Sequence, residues 1–152
     1  MPTEKTFIMI KPDGIQRGLA GGIISKFEKK GLKIVAMKMM TLTKERAEKH
    51  YAEHQGKGFY GSLIEFITSG PVIAFILEGP KAISIVRKLV GATNPADADP
   101  GTIRGDYVLY TTFNIIHASD SPESAGREIK LFFANEEIQS YNLRLEDFIF
   151  EA

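Results

Sequence analysis

Short apolar runs alternate along this chain with segments whose apolar residues recur at helical spacing, and no other feature constrains the fold as strongly. Runs of strand length span residues 6–10, 32–42 and 72–77, and a shorter candidate spans 114–117. The predicted order is strand, helix, strand, helices, strand, helix, long loop, strand, helix. This order predicts an α+β or α/β fold, and it favours the split β-α-β-β-α-β plan with a small antiparallel sheet covered by helices.

Start and stop signals set the expected ends of these elements. The first strand should run into a turn at 11–14, Lys-Pro-Asp-Gly. Thr43 and Ser121 are predicted N-caps, and Gly31 is predicted to lie just past a helix C-terminus. Pro80 is expected to begin another helix.

Composition and net charge limit the classes of protein to which this chain can belong. The 152 residues are 43% hydrophobic and 25% charged, and 19 basic side chains balance 19 acidic ones. This length suits one domain, and the balanced charge argues against a protein built mainly to bind nucleic acid or an anionic membrane. The sequence has no cysteine, no membrane-length apolar segment, and no basic and apolar leader at its beginning. We therefore expect a cytoplasmic protein.

The segment 91–106 is rich in Gly, Pro, Asp, Asn and Thr and has no apolar period. Loops of this length without secondary structure are uncommon in compact domains, and most are functional or disordered. A flexible linker and a functional loop containing Arg104 both remain open on composition alone.

The common phosphate-binding loops are misplaced or missing. The segment 56–61 matches G-x-G-x-x-G, but that pattern binds phosphate only between a strand and a helix of a βαβ unit. Here it follows the polar end of a predicted helix, so we interpret it as a loop. No G-x-x-x-x-G-K-[ST] pattern occurs.

Two of the three histidines, His50 and His54, lie four residues apart on a predicted helix, with Glu53 between them. Such a pair can ligate a metal, but no third ligand lies nearby in the sequence. A solvated helix face is the favoured interpretation.

The third histidine, His117, ends a short strand just before a helix N-terminus. That helix end carries partial positive charge and unpaired N–H groups, which favour a phosphate. Glu128, two turns into the helix, is placed to hold the second ring nitrogen, which would leave the other nitrogen nucleophilic. A buried histidine satisfied by hydrogen bonds within the sheet is the alternative.

Several motifs, in a fixed order, resemble the nucleoside diphosphate kinase family. Residues 114–120, Asn-Ile-Ile-His-Ala-Ser-Asp, are similar to its signature N-x-x-H-G-S-D. Segments 11–14 and 69–72 resemble the exit from its first strand and the entry to its third. Segments 93–97 and 100–106 resemble its nucleotide loop. The similarity covers nearly the whole chain.

The resemblance implies an α+β, ferredoxin-like sandwich with a four-stranded antiparallel sheet covered by helices, formed by residues 1–152 as one domain. It implies reversible transfer of the γ-phosphoryl group from a nucleoside triphosphate, such as ATP or GTP, to a nucleoside diphosphate. The implied route is ping-pong, through a phosphohistidine on His117. Mg²⁺ is expected on the nucleotide phosphates, with Asp120 reaching its water shell.

The resemblance also implies a role for each matching position. His117 is the nucleophile, and Glu128 and Ser119 orient its ring. The other positions surround the nucleotide: Lys11, Tyr51, Arg87, Thr93 and Arg104 at the phosphates, Phe59, Leu63 and Thr111 at the base, Lys11 and Asn114 at the sugar. Guanidinium groups suit forked bonds to phosphate, and an aromatic face can stack on any base.

Three positions depart from the family pattern. Ala118 replaces a common Gly, and its methyl group is expected to narrow the backbone and crowd the phosphate. Phe113 replaces a basic residue, and Thr111 replaces an apolar residue that packs on the base. These departures bear on fine geometry and base preference.

Two other classes of function remain in view. A nucleotide-binding module without chemistry is disfavoured because every predicted catalytic position holds a competent residue type. A nucleic-acid module with Phe7 or Phe75 on the sheet face is disfavoured by the zero net charge and the missing RNP1 pattern.

The C-terminal tail, about 135–152, carries many apolar side chains. Such a tail is expected to pack on the domain or on a neighbouring subunit. It resembles the longer C-termini of hexameric members of the family, so a homo-hexamer is favoured over a tetramer.

Overall fold

Four strands form one sheet in the computed structural model, which describes residues 3–150. In chain order the strands are β1 (Glu4–Ile10), β2 (Lys33–Met40), β3 (Val72–Gly79) and β4 (Ile116–Ala118). Their spatial order is β2-β3-β1-β4, and every neighbouring pair is antiparallel. This is the order of the split β-α-β-β-α-β plan, so the predicted α+β, ferredoxin-like fold is confirmed.

Seven α-helices cover the sheet or connect its strands within residues 3–150. They are α1 (Pro12–Gln16), α2 (Ala20–Lys30), α3 (Lys44–His50), α4 (Tyr60–Ile67), α5 (Ala82–Val90), α6 (Ile103–Tyr107) and α7 (Pro122–Phe132). Single 3₁₀ turns lie at Ala52–His54, Pro95–Asp97, Thr111–Phe113, Asn135–Glu137 and Glu146–Phe148.

Both faces of the sheet are buried along β1 and β3, which explains why these two strands read as continuous apolar runs. Along β1, Ile8 and Ile10 pack with residues of α2 and α5. Phe7 and Met9 pack on the opposite face with residues of α3, α4 and α7. Because successive side chains of a strand point to opposite faces, a strand covered on both sides needs apolar residues at every position.

Most of the predicted element ends are confirmed. The Thr43 hydroxyl accepts a hydrogen bond from the Arg46 N–H, and Ser121 forms a capping box with Ser124. Gly31 follows α2 with a φ of 106°, in the left-handed region that glycine adopts readily.

Two predicted element starts were wrong. Residues 11–14 do not form a simple turn but open α1, because Pro12 at the first helical position is already set to helical φ. Pro80 does not start α5. Lys81 adopts a left-handed φ of 53°, and the helix begins at Ala82.

The long loop is ordered by its own short-range hydrogen bonds. Asn94 and Thr102 each cap a short helical turn, accepting from Ala96 N–H and Gly105 N–H. A side chain at Gly105 would clash with the Asp99 carbonyl oxygen. The loop therefore folds tightly against the start of α6, and the flexible-linker interpretation was wrong.

The C-terminal segment contacts the outer edge of β2. Gln139 N–H donates to the Val35 carbonyl at 2.8 Å, and the Tyr141 hydroxyl donates to the Ile34 carbonyl. Lys33 Nζ donates to the Tyr141 carbonyl at 2.6 Å. None of the helices within residues 3–150 is long and apolar enough to cross a membrane.

Candidate active site

His117 lies on β4 with its ring on the α3, α4 and α7 side of the sheet and 22% of its side chain exposed. Its neighbours in the strand, Ile116 and Ala118, belong to the apolar cluster of the opposite face. Alternation along the strand therefore separates the partly exposed His117 side chain from two core side chains. The ring is neither fully enclosed nor free to swing in solvent.

Glu128 of α7 fixes which nitrogen of this ring is free. Both carboxylate oxygens lie 3.0 Å from His117 Nε2. The Ser119 hydroxyl donates to Glu128 Oε1 at 2.5 Å, and both Ser119 and Glu128 are buried. An ionised carboxylate only accepts, so Nε2 carries the proton and the lone pair lies on Nδ1. This is the tautomer that a nucleophilic imidazole needs.

His50 packs edge-on against His117, with ring centroids 4.6 Å apart. The interpretation of His50 as part of a solvated helix face was wrong, since its side chain is fully buried. Burial, with the nearby His117 adding to it, lowers the pKa of His50 well below its ordinary value. Ala47, His50 and Tyr51 share one helix face, and this spacing was the signal that could have placed His50 inside.

Two arginines occupy the open edge of β4. Ser119 N–H bonds to Phe7 of β1, so the Ile116 and Ala118 carbonyls point away from β1. Arg104 donates to the Ile116 carbonyl at 2.6 Å, and Arg87 donates to the Ala118 carbonyl at 3.2 Å. The backbone of β4 thus holds two guanidinium groups on either side of His117.

Lys11 adds a third positive charge. Its Nζ donates to Asn114 Oδ1 at 2.8 Å, in a buried contact that joins the end of β1 to the approach to β4. Burial, together with the charge of Arg104, lowers the pKa of Lys11 to about 8. Burial and the charge of Arg87 lower the pKa of Arg104 to about 10. Like charges this close are costly unless an anion joins them, so the cluster favours an anionic ligand.

A strained residue sets the approach to β4. Ile115 has a φ of 59°, which is costly for a β-branched residue. Its N–H donates to Asp13 Oδ2 at 3.1 Å, and its carbonyl accepts from Lys11 N–H at 2.9 Å. These two bonds hold the turn that places Asn114 beside Lys11, and they explain why β4 begins only at Ile116. Asp13 was not among the predicted site residues, although it lies in the Lys-Pro-Asp-Gly motif.

The remaining predicted site residues differ in how exposed their side chains are. Tyr51 is buried at the end of α3, and burial raises the pKa of its hydroxyl. Phe59 is 51% exposed just before α4, and Leu63 is half-buried on that helix. Thr93 and Thr111 are exposed in the loops before α6 and before β4. Phe59 has the open ring that a stacking role requires.

The Ala118 departure does not have the expected consequence. Its methyl group packs into the core on the α2 and α5 side, away from the His117 ring. The expectation that it would crowd a phosphate was wrong, because adjacent residues of a strand face opposite ways. Phe113 is 55% exposed and meets Phe66 edge-on at 5.4 Å.

Oxygen ligands for Mg²⁺ are scarce here. Among residues 3–150, the one close group of three candidate ligands is His50, His117 and Glu128, with two nitrogen donors. Mg²⁺ prefers octahedral oxygen ligands, so this group does not suit it. Asp120 is an exposed carboxylate that accepts from the Ser124 hydroxyl at 2.8 Å. That hydrogen bond, with smaller effects of Arg87 and His117, lowers its pKa.

Comparison with known proteins gives this site a family. Residues 4–138 match the family model described as nucleoside diphosphate kinase. The chain is 59% identical over 148 residues to a nucleoside diphosphate kinase of Archaeoglobus fulgidus, covering 97% of this chain and 98% of the relative. One from Listeria monocytogenes is 60% identical over 146 residues, covering 96% and 99%.

The chain belongs to the nucleoside diphosphate kinase family.

Solved structures agree with this assignment. A halophilic nucleoside diphosphate kinase from Halobacterium salinarum, in complex with CDP, is 47% identical with a TM-score of 0.96, covering 99% of this chain and 100% of that one. A family member from Babesia bovis is 47% identical with a TM-score of 0.94, covering 97% and 99%. The resemblance of the sequence to the nucleoside diphosphate kinase family is therefore confirmed.

Proposed function

We propose that this protein transfers the γ-phosphoryl group of a nucleoside triphosphate to a nucleoside diphosphate through a phosphohistidine on Nδ1 of His117. The single observation that carries the proposal is the Glu128 contact, which occupies Nε2 with both carboxylate oxygens 3.0 Å away. Membership of the nucleoside diphosphate kinase family supports the same reaction.

The first half-reaction is an in-line displacement. The Nδ1 lone pair forms a bond to the γ-phosphorus, and the bond from that phosphorus to the β-γ bridging oxygen breaks. The diphosphate leaves with the electron pair, and the ring gains positive charge that the Glu128 carboxylate stabilises through Nε2–H. Arg87, Arg104 and Lys11 offset the negative charge on the transferring group.

The second half-reaction runs these steps in reverse on a different diphosphate. One pocket then serves donor and acceptor in turn, and Ser119 keeps Glu128 on the ring throughout. Tyr51 and Thr93 are proposed to contact phosphates, Asn114 and Lys11 the sugar, and Phe59, Leu63 and Thr111 the base. The open face of Phe59 supports acceptance of several bases, because stacking does not read base edges.

Mg²⁺ is proposed to arrive on the phosphates of the nucleotide, as part of the substrate. The scarcity of oxygen ligands in the pocket supports this, and we propose that Asp120 reaches the ion through water. A cytoplasmic location stays a prediction.

A labelled-phosphate experiment tests the nucleophile. Incubation with γ-labelled ATP should place one acid-labile, base-stable phosphate on each chain of the unaltered protein, and none on His117→Ala. His54→Ala, which changes another histidine of the chain, is the control and should still be labelled. Calorimetry should show that His117→Ala still binds ADP. Label retained on His117→Ala would refute the assignment.

We propose in addition that the chain works as a homo-oligomer, with a hexamer favoured over a tetramer. Large apolar side chains are exposed before β4 and on β2, including Leu109 at 86%, Tyr110 at 74% and Met39 at 60%. Patches of this kind mark interfaces. Sedimentation should give six times the chain mass of 16.9 kDa. A monomer would contradict the proposal.

A further inference from the structure

The His50 side chain is enclosed by aromatic rings. The rings of Phe7, Tyr51, Phe132 and His117 lie between 4.6 and 6.2 Å from it, centroid to centroid. Its side chain is 0% exposed, and within the described part of the chain neither ring nitrogen has a hydrogen-bond partner. Buried polar atoms are costly to leave without a partner, so the arrangement indicates a ligand.

The donor atoms around His50 match the spacing of a small metal site. His50 Nδ1 is 3.8 Å from Glu128 Oε2, and His117 Nε2 is 3.0 Å from the same carboxylate. One ligand atom from each residue lies within 4.8 Å of the others. Around a tetrahedral ion with bonds of about 2.0–2.2 Å, neighbouring ligand atoms are about 3.3 Å apart. The separations of 3.0 Å and 3.8 Å from Glu128 Oε2 lie on either side of this value.

We propose that His50, His117 and Glu128 form a site for Zn²⁺ or a similar borderline divalent cation, and that an ion there blocks the nucleophile. Two imidazoles and one carboxylate form a ligand set that suits Zn²⁺ and not Mg²⁺, and three protein ligands leave a fourth position for water. The Ser119 hydroxyl holds Oε1, so Oε2, the oxygen nearer His50, is the one proposed to bind the ion. Arg127 Nη2 lies 3.8 Å from Oε2, and the ion would replace the proton of His117 Nε2 beside it.

The block follows from the single proton of a neutral imidazole. Without metal, His117 Nε2 carries the proton and Nδ1 has the free lone pair. An ion bound to Nε2 takes that lone pair, so the proton moves to Nδ1. Nδ1–H cannot attack phosphorus. This part of the inference depends on the proposed function, whereas metal binding does not.

Binding is measured first, without nucleotide. Calorimetry with Zn²⁺ should show one ion per chain, and Co²⁺ should give the intense visible bands of a tetrahedral site. His50→Phe keeps an aromatic ring in the same enclosure but removes both nitrogens. It should weaken Zn²⁺ binding at least about tenfold, since the loss of even a partner of a metal ligand costs that much. His54→Gln is the matched control and should keep the site.

Inhibition is measured second, as labelled-phosphate transfer to the protein with Mg²⁺ in excess. Saturating Zn²⁺ should slow this transfer at least about tenfold in the unaltered chain. The ratio of rates with and without Zn²⁺ should stay near one in His50→Phe, and in His50→Gln should the Phe variant fold poorly. If no phosphate is transferred under any condition, the proposed function fails and the binding result still decides the metal site. Unchanged Zn²⁺ affinity in both His50 variants, or normal transfer with Zn²⁺ bound, would overturn the inference.

Discussion

At the two edges of the sheet, different groups donate to the backbone carbonyls that have no strand partner. An edge strand leaves carbonyls and N–H groups without a strand partner. At β4, carbonyls of Ile116 and Ala118 accept from Arg104 and Arg87. At β2, carbonyls of Ile34 and Val35 accept from Tyr141 and Gln139 of the C-terminal segment. Neutral donors are enough to pair the carbonyls at the β2 edge, so pairing carbonyls does not by itself require the positively charged donors at the β4 edge.

The buried lysines near these edges differ in the same way. Lys33, on β2, lies 3.4 Å from Glu78 and 3.7 Å from Glu146, so its charge is balanced within the fold. Lys11 bonds to a neutral amide and lies near Arg104, and the charge of Asp13 offsets only part of theirs. The β4 side therefore holds a surplus of positive charge that favours a bound anion, and the β2 side does not. This surplus distinguishes Lys11, in a candidate ligand site, from Lys33, in a structural contact.

The largest expected effect comes from removing a guanidinium at the β4 edge. Arg104→Met should slow phosphoenzyme formation by about 10²-fold, because it removes a positive charge that stabilises the transferring phosphoryl group. It should also lower the free energy of unfolding by about 1.5–3 kcal/mol, since two carbonyl contacts of a charged donor disappear. Quench-flow labelling and urea unfolding measure the two effects.

Arg87→Met provides the matched control for the Arg104 variant. Arg87 makes one carbonyl contact of 3.2 Å, so we expect a similar loss of rate with a smaller loss of stability. If both variants kept normal rates, the guanidinium groups would serve only to close the edge, and the contrast between the two edges would disappear.

A smaller effect is expected at the strained turn before β4. Asp13→Ala removes the acceptor for the Ile115 N–H, which leaves a buried donor unpaired beside a positive φ. The free energy of unfolding should fall by about 1–3 kcal/mol. Asp13→Asn keeps an acceptor oxygen and should recover most of this in urea unfolding. Equal losses in both variants would show that the charge of Asp13, and not its hydrogen bond, holds the turn.

Local signals predicted the elements well, because caps and strand runs act over a few residues. Thr43, Ser121 and Gly31 marked real helix ends. The order of motifs also identified the family. What failed depended on contacts distant in sequence: His50 looked solvated because its helix is polar, and Phe7 of β1 and Phe132 of α7 bury it.

The side of a strand was also hard to judge from local sequence. Ala118 was expected to crowd the phosphate because it replaces a glycine next to His117, but the alternation of side chains along the strand places its methyl group in the core. Phe7 and Phe75, considered as stackers for nucleic acid, are fully buried. A burial pattern for both faces of the sheet was needed to place these three residues, and periodicity could not supply it in a strand that is apolar throughout.

At the β2 edge, Tyr141→Phe removes the hydroxyl that donates to the Ile34 carbonyl. The free energy of unfolding should fall by about 1 kcal/mol, the usual net value of one hydrogen bond. Steady-state transfer per folded chain should not change, because Tyr141 lies at the opposite edge from β4. A loss of transfer that matches the loss at Arg104 would mean that the two edges are coupled.

The smallest effect concerns pH and the charge of Lys11. Its pKa of about 8 means that the side chain loses its proton as the pH rises through 8. Its attraction for phosphate is therefore present below that pH and lost above it. The dissociation constant for ADP, measured by calorimetry, should rise about threefold between about pH 7.5 and 8.5 as the protonated fraction falls. Lys11→Arg stays charged over this range, so its affinity should change little with pH. The same slope in both proteins would show that the surplus charge at the β4 edge does not depend on Lys11, and would leave Arg87 and Arg104 to account for anion binding.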